Sequence, residues 1–194
     1  RGQKIYITWG EHDMTDNIVH IVLAPMTDAP PGNKGLSLFL VPKFLVNEDG
    51  SLGERNDVRV MSTEHKLGIH ASPTCVMGFG ENGGAIGYLI GEPGDGLRIL
   101  LASLNKSRPS IAAHALGIAR GAFEDAVGYI NQRRQSGKRI VEFQGIQFLI
   151  ADLAADLALT EEWLWRVARM VDAGAAGFDV EASMLKMRAS DVAM

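Results

Sequence analysis

Cysteine is nearly missing from this chain. Cys75 is the only one in 194 residues, which excludes a disulfide framework and any cysteine-rich zinc site. A reducing, cytoplasmic setting is the expectation that goes with it. No apolar run reaches the roughly 20 residues of a membrane-spanning helix, so no membrane span is expected. No signal peptide is read at the N-terminus. The formal net charge is only −4, so no global basic field exists to hold nucleic acid. A phosphate loop, a dinucleotide glycine fingerprint, a nucleophile elbow and zinc-ligand spacing are all absent. The common motif-defined enzyme classes are therefore not signalled.

What remains is the composition of an ordinary globular protein, 46% hydrophobic and 22% charged. Residue 1 is Arg, and strand-like sequence begins by Lys4. The chain is expected to be a piece of something longer, truncated at both ends.

The first half reads as β. Strands are predicted at Lys4–Thr8, Ile18–Leu23, Leu36–Val41, Asp57–Met61, Thr74–Phe79 and Ala85–Ile90. Turn chemistry separates several of them, at Asp28–Gly32, Asn47–Gly50 and Glu81–Gly84. Short strands in succession favour an antiparallel sandwich or small barrel.

From Gly96 the apolar spacing turns helical. Ile111, Ala115, Ile118, Ala122, Ala126 and Ile130 lie three or four apart. Ile146, Ile150, Leu153, Leu157, Leu164, Val167 and Val171 form a longer stripe, with Thr160 in one place where an apolar residue is due. That helix is expected to exceed 25 residues, about 40 Å, and to need antiparallel neighbours. A further helix is predicted from near Val180 to Met194. Strands followed by helices give an α+β chain with an antiparallel β domain over 1–95 and an antiparallel helical bundle over 96–194. Pro109 leaves two readings open: a helix from about Leu97 to Ile130 with a kink, or one that begins at the proline.

Arg133, Arg134, Lys138 and Arg139 form the densest cationic cluster. A pyrophosphate or carboxylate site at the start of the next helix is one reading, and a solvated loop between helices is the other. His65 and His70 have no third ligand near them in sequence, and adjacent residues of Glu11-His12-Asp13 would point to opposite faces of a strand. No metal site is expected. Composition and pattern alone do not reach an activity.

Four segments together resemble the acyl-CoA dehydrogenase family. Gln3-Lys4-Ile5-Tyr6-Ile7-Thr8-Trp9-Gly10 is similar to its Lys-x-aromatic-Ile-Thr-Asn-Gly strand. Lys66-Leu67-Gly68-Ile69-His70-Ala71-Ser72-Pro73-Thr74 is similar to its Lys-Leu-Gly-x-Arg-x-Ser-x-Thr turn. Asn105-Lys106-Ser107-Arg108-Pro109 and the following Ala/Gly-rich helix resemble the segment lining the acyl-CoA cleft. Arg133 to Asp152 resembles the Arg-x-x-Phe-Gly-Lys…Gln…Ala-Asp stretch. The four stand in the family's order across nearly the whole chain. The first half, with its insertion around Lys43–Asp57, looks closest to larger bacterial members acting on modified or unusual acyl-CoAs.

The resemblance implies FAD as cofactor and α,β-dehydrogenation of an acyl-CoA thioester. Tyr6, Ile7 and Thr8 would lie against the flavin ring. Arg133, Gln135, Phe143 and Gln144 would reach FAD held mainly by a neighbouring subunit, with Arg133 at the pyrophosphate. Asn105, where the family more often carries Asp, and Arg108 would sit beside CoA. A Glu base would take the α-proton, and the β-hydride would go to flavin N5. That base is expected beyond Met194, because Ser107 stands at the alternative place and no carboxylate of the chain itself is nominated. The family also implies fatty-acid β-oxidation, a homo-oligomer (dimer or tetramer) and an electron-transfer flavoprotein as partner. An oxidase, a non-catalytic or DNA-alkylation-response relative, and a cofactor-free helical interaction module are the alternatives. Trp9, His70 and Ser136 depart from the family's usual Asn, Arg and Phe.

Overall fold

The structure, a computed structural model, describes residues 1–194. It divides into two compact units, Arg1–Leu100 and Leu101–Met194.

The first unit is β. Strands β1 (Gly2–Thr8), β6 (Val58–Thr63) and β7 (Thr74–Phe79) form one antiparallel sheet in the order β1-β7-β6. Strands β2 (Val19–Pro25), β3 (Leu36–Pro42) and β8 (Tyr88–Ile90) form a second, in the order β2-β3-β8. Both contribute to one core of Val41, Val58, Cys75, Met77 and Phe79, joined by Ile7, Val22, Phe39 and Val60. Of the two architectures expected, the sandwich is the one that forms; the sheets stay separate and no barrel closes.

Two asparagines stitch the loops to these sheets. Asn56 is buried, and its amide donates to the Pro42 and Ile86 carbonyls, both at 2.8 Å. Its oxygen accepts the N–H groups of Asp57 and Ile86, both at 2.9 Å. A buried amide must satisfy its full donor and acceptor set, and this one does so with backbone. This capture of Ile86 explains why the strand predicted from Ala85 begins only at Tyr88. Asn17 braces Phe44 in the same way, donating to its carbonyl at 2.8 Å and accepting its N–H at 2.9 Å.

A hairpin absent from the sequence reading occupies the supposed insertion: β4 (Phe44–Val46) pairs with β5 (Leu52–Arg55). The turn at Asn47–Gly50 was legible, but Leu52-Gly53-Glu54-Arg55 has no alternation to mark a strand.

Gly91–Gly96 ends the β unit's last strand and leads into helix α1 (Gly96–Gln132), which continues through Pro109. The helix that begins at the proline is not the one formed. Gly96 starts α1 hard against β3: a Cβ there would lie 2.4 Å from the Ser37 carbonyl carbon and 2.6 Å from the Leu38 nitrogen. Only glycine permits that approach.

The second unit is an antiparallel bundle of α1 beyond Leu100, α2 (Gln144–Asp172) and α3 (Phe178–Ala193). Ion pairs link the helices. Arg120 of α1 meets Glu161 of α2, while Arg166 and Arg188 at opposite parts of the α2–α3 seam meet Glu181 and Asp156. Ala112, Val167, Ala182, Leu185 and Ala189 form one buried layer, and Leu116, Ala119 and Leu157 the next. Ala182 and Ala189 of α3 lie in the layer packed on Val167 of α2.

On α2 the expected stripe is buried at Leu157 and Val167 and exposed at Leu153 (37%), and the place of Thr160 was read correctly. That residue is buried, and its hydroxyl donates 2.7 Å back to the Asp156 carbonyl, so it costs no unpaired group. The α1 stripe was read only in part: Ile130 is buried and Ala115 packs on the core as expected. The buried face carries Ala112, Leu116, Ala119 and Ile130, whereas the expected Ile111 and Ile118 are 47% and 68% exposed. Apolar residues occur on more than one face of α1, so spacing alone did not single out the Ala112, Leu116 and Ala119 face.

Candidate functional site

The three groups of nominated residues are each built locally, and each is described by itself.

At the end of β1, the pairing slips by one residue: Lys4 faces Met77, but Ile7 already faces Cys75. The extra residue is absorbed where Tyr6 adopts φ 58°, a left-handed conformation that aromatic residues seldom take. Ile7 turns inward and packs on the Cys75–Met77 core. Tyr6 is 68% exposed, and Thr8 is exposed as well. Of the three nominated here, Ile7 has its side chain committed to the core, while Tyr6 and Thr8 keep theirs free. Trp9, also at positive φ (57°), donates its N–H to the Pro73 carbonyl at 2.8 Å and sets its ring edge-on to His12. Gly10 follows because a Cβ would lie 2.8 Å from the Cys75 Cβ. The bulge was invisible in sequence, since no glycine or asparagine marks it.

The cationic run between α1 and α2 is an ordered hairpin, and Arg133 to Arg139 are all exposed on it. Strand β9 (Arg134–Gln135) pairs with β10 (Lys138–Arg139) across Ser136 and Gly137, at φ 51° and 84°. Two consecutive positive φ values make the tight turn whose twist suits a two-residue hairpin. The Ile140 N–H then bonds the Arg133 carbonyl at 2.9 Å. Lys138 places its ammonium 4.2 Å from the centre of the Phe143 ring, tying the hairpin to the start of α2. Arg139 pairs with Glu142 at 3.1 Å, and that hydrogen bond holds the Glu142 carboxyl below its ordinary range, with Arg134 adding a smaller pull. Arg133 and Arg134 themselves enter no ion pair.

Helix α2 begins directly behind them. Phe143 caps it without a side-chain bond, and its first turn carries no acidic residue. The first N–H groups of a helix have no intrahelical acceptor, and the aligned peptide dipoles put partial positive charge there. Gln135 and Gln144 are both exposed at this corner. Two unpaired guanidiniums, an uncapped helix start and two amides form a donor set fitted to a phosphate-bearing ligand.

On α1, Arg108 donates to the side-chain oxygen of Asn105, one turn back. The same nitrogen donates to the Ser183 hydroxyl on α3 at 2.7 Å, and that hydroxyl donates to the Asp179 carbonyl at 2.6 Å. Asn105 and Arg108 are thus bonded one turn apart on α1, and Ser183 is an addition that no spacing in the sequence could have linked to them. Ser107 donates its hydroxyl to the Leu104 carbonyl at 2.9 Å.

The histidine pair also has a defined place. His65 and His70 bring their rings to 6.4 Å, on a loop where Lys66 donates to the Ile69 and Ser72 carbonyls. Glu11 is engaged by Lys43. No group of three metal-ligating side chains gathers anywhere in the chain, and no helix is long and apolar enough to cross a membrane.

Residues 94–194 match the family model described as acyl-CoA dehydrogenase, C-terminal domain. Over 135 residues the chain is 47% identical to 3-methylmercaptopropionyl-CoA dehydrogenase of Ruegeria pomeroyi, covering 70% of this chain and 22% of that protein. Among solved structures, butyryl-CoA dehydrogenase of Megasphaera elsdenii superposes with a TM-score of 0.78 at 34% identity, over 98% of this chain and 46% of that one. A structure described as PigA with FAD and proline superposes with a TM-score of 0.80 at 25% identity, over 99% and 46%. The chain thus spans from under a quarter to about half of these proteins' lengths.

Proposed function

Since the chain belongs to the acyl-CoA dehydrogenase family, we propose that the whole protein containing it is an FAD-dependent acyl-CoA dehydrogenase. The observation that carries this reading is the corner of Arg133 and Arg134, two unpaired cations on a tight hairpin in front of an acid-free helix start. FAD is a diphosphate, and the donor set here suits one.

Bound FAD would supply the hydride acceptor for the β-hydrogen of the acyl chain. The residues of this chain bind and orient. Arg133 takes a phosphate of the cofactor, with Gln135 and Gln144 offering amide donors and Phe143 an aromatic face. Tyr6 presents its exposed ring and Thr8 its hydroxyl to the flavin portion. Asn105 and Arg108 hold the CoA thioester. No carboxylate here is assigned as the base; the α-proton goes to a Glu elsewhere in the whole protein. Ser107 cannot take that role, because an uncharged hydroxyl with its proton bonded to a carbonyl is no carboxylate base. Electrons leave to an electron-transfer flavoprotein, and the working form is a homo-oligomer in which this corner meets FAD of a neighbouring subunit.

Arg133→Ala in the whole protein tests the corner. FAD affinity should fall about tenfold or more, as expected for removal of a charge-assisted contact to phosphate. An unchanged affinity would remove the corner from the cofactor site.

A further inference from the structure

We propose that Ser183 is a positioning residue for Arg108, fixing a guanidinium whose charge the protein leaves uncompensated for the acyl-CoA. The proposal rests on the reading of Arg108 given above.

The argument begins with charge. Arg120, Arg166 and Arg188 of the bundle each meet a carboxylate. Arg108 is partly buried and meets none; both of its acceptors, the Asn105 amide oxygen and the Ser183 hydroxyl, are neutral. An arginine does not lose its proton in a protein, so the charge persists and stays free for an incoming group. A carboxylate at either place would cancel it.

Direction comes next. Asn105 lies on the same helix, so it follows α1 and cannot by itself fix where the guanidinium points. Ser183 comes from α3. Its own proton is committed to the Asp179 carbonyl at 2.6 Å, which leaves the oxygen lone pairs turned to accept from Arg108. One nitrogen carries both bonds. The remaining nitrogens have no partner in the chain, which leaves their donors for a ligand. A guanidinium held this way loses less freedom when the ligand arrives, which strengthens binding without adding a contact.

Ser183→Ala in the whole enzyme removes the acceptor and little volume. The KM for acyl-CoA should rise roughly tenfold or more with kcat changed by less than about twofold, the scale of one hydrogen bond to a charged group. Ser183→Thr, which keeps the hydroxyl, should restore KM. Placed on an Arg108→Ala background, Ser183→Ala should add no further loss. If Arg108→Ala raises KM and Ser183→Ala does not, the positioning role fails and the reading of Arg108 stands. If Arg108→Ala leaves KM unchanged, both fail. An effect of Ser183→Ala that persists without Arg108, or that Thr does not rescue, assigns Ser183 to packing and overturns the proposal.

Discussion

Arg139 and Glu142 meet at 3.1 Å, and their pairing divides the cationic corner into a self-compensated part and a free part. Glu142 also accepts the Arg139 backbone N–H at 3.1 Å, so the acid braces the turn into α2 instead of opposing Arg133 and Arg134.

That bracing has a pH signature. The Glu142 carboxyl is held below its ordinary 4.5, first by the Arg139 side chain and then by the Arg139 N–H. A depressed carboxyl contributes while it is ionised in the folded state, so its contribution is present above the unfolded value. It is lost as pH falls through the folded one. Carboxyl NMR titration of Glu142 should therefore show a midpoint below 4.5, and Arg139→Gln should move it back up. An unshifted midpoint in the parent protein would show that the pair does not persist in solution.

Gly96 is expected to tolerate no side chain. The atoms a Cβ would strike belong to the Ser37–Leu38 backbone of β3, which cannot rotate away. Gly96→Ala should cost about 1–3 kcal/mol or more despite alanine's better helix propensity. Urea unfolding measures it; a stabilised variant would mean that α1 does not start against β3 as described.

Ile69 points the other way. It is 80% exposed and stands at φ 52°, where a β-branched residue is strained. Ile69→Asn gives up little burial and places a residue that accepts the left-handed region. Stability should rise by about 1 kcal/mol, read as a higher denaturation midpoint. A fall would indicate that the isoleucine is covered in the assembled protein.

Much of this architecture was legible because hydrophobic period and turn chemistry agree over long stretches. Thr74–Phe79 was read to the residue, and the place of Thr160 on α2 was read correctly. The failures have separate physical causes. Ser136-Gly137 lacks the Asn-Gly pairing that advertises a two-residue turn, so the hairpin at the corner is not marked in the sequence. The strand start at Ala85 was overridden by one long-range asparagine. On α1, Ile130 is buried and Ala115 packs as expected, but Ile111 and Ile118 are exposed because the buried face turns instead to Ala112, Leu116 and Ala119. Within the candidate site, Asn105 and Arg108 are bonded one turn apart on α1, and Ser183, 75 residues away, joins them only through the bundle. The slip that exposes Tyr6 while burying Ile7 follows from sheet register, which no single strand contains.

The most direct test of the central claim is anaerobic addition of a short acyl-CoA to the whole protein purified with FAD. Loss of the oxidised flavin's visible absorption, with one enoyl-CoA formed per flavin, is the result expected of an acyl-CoA dehydrogenase. A protein that takes up no FAD on reconstitution, or whose bound flavin stays oxidised with a range of acyl-CoA thioesters, would contradict it.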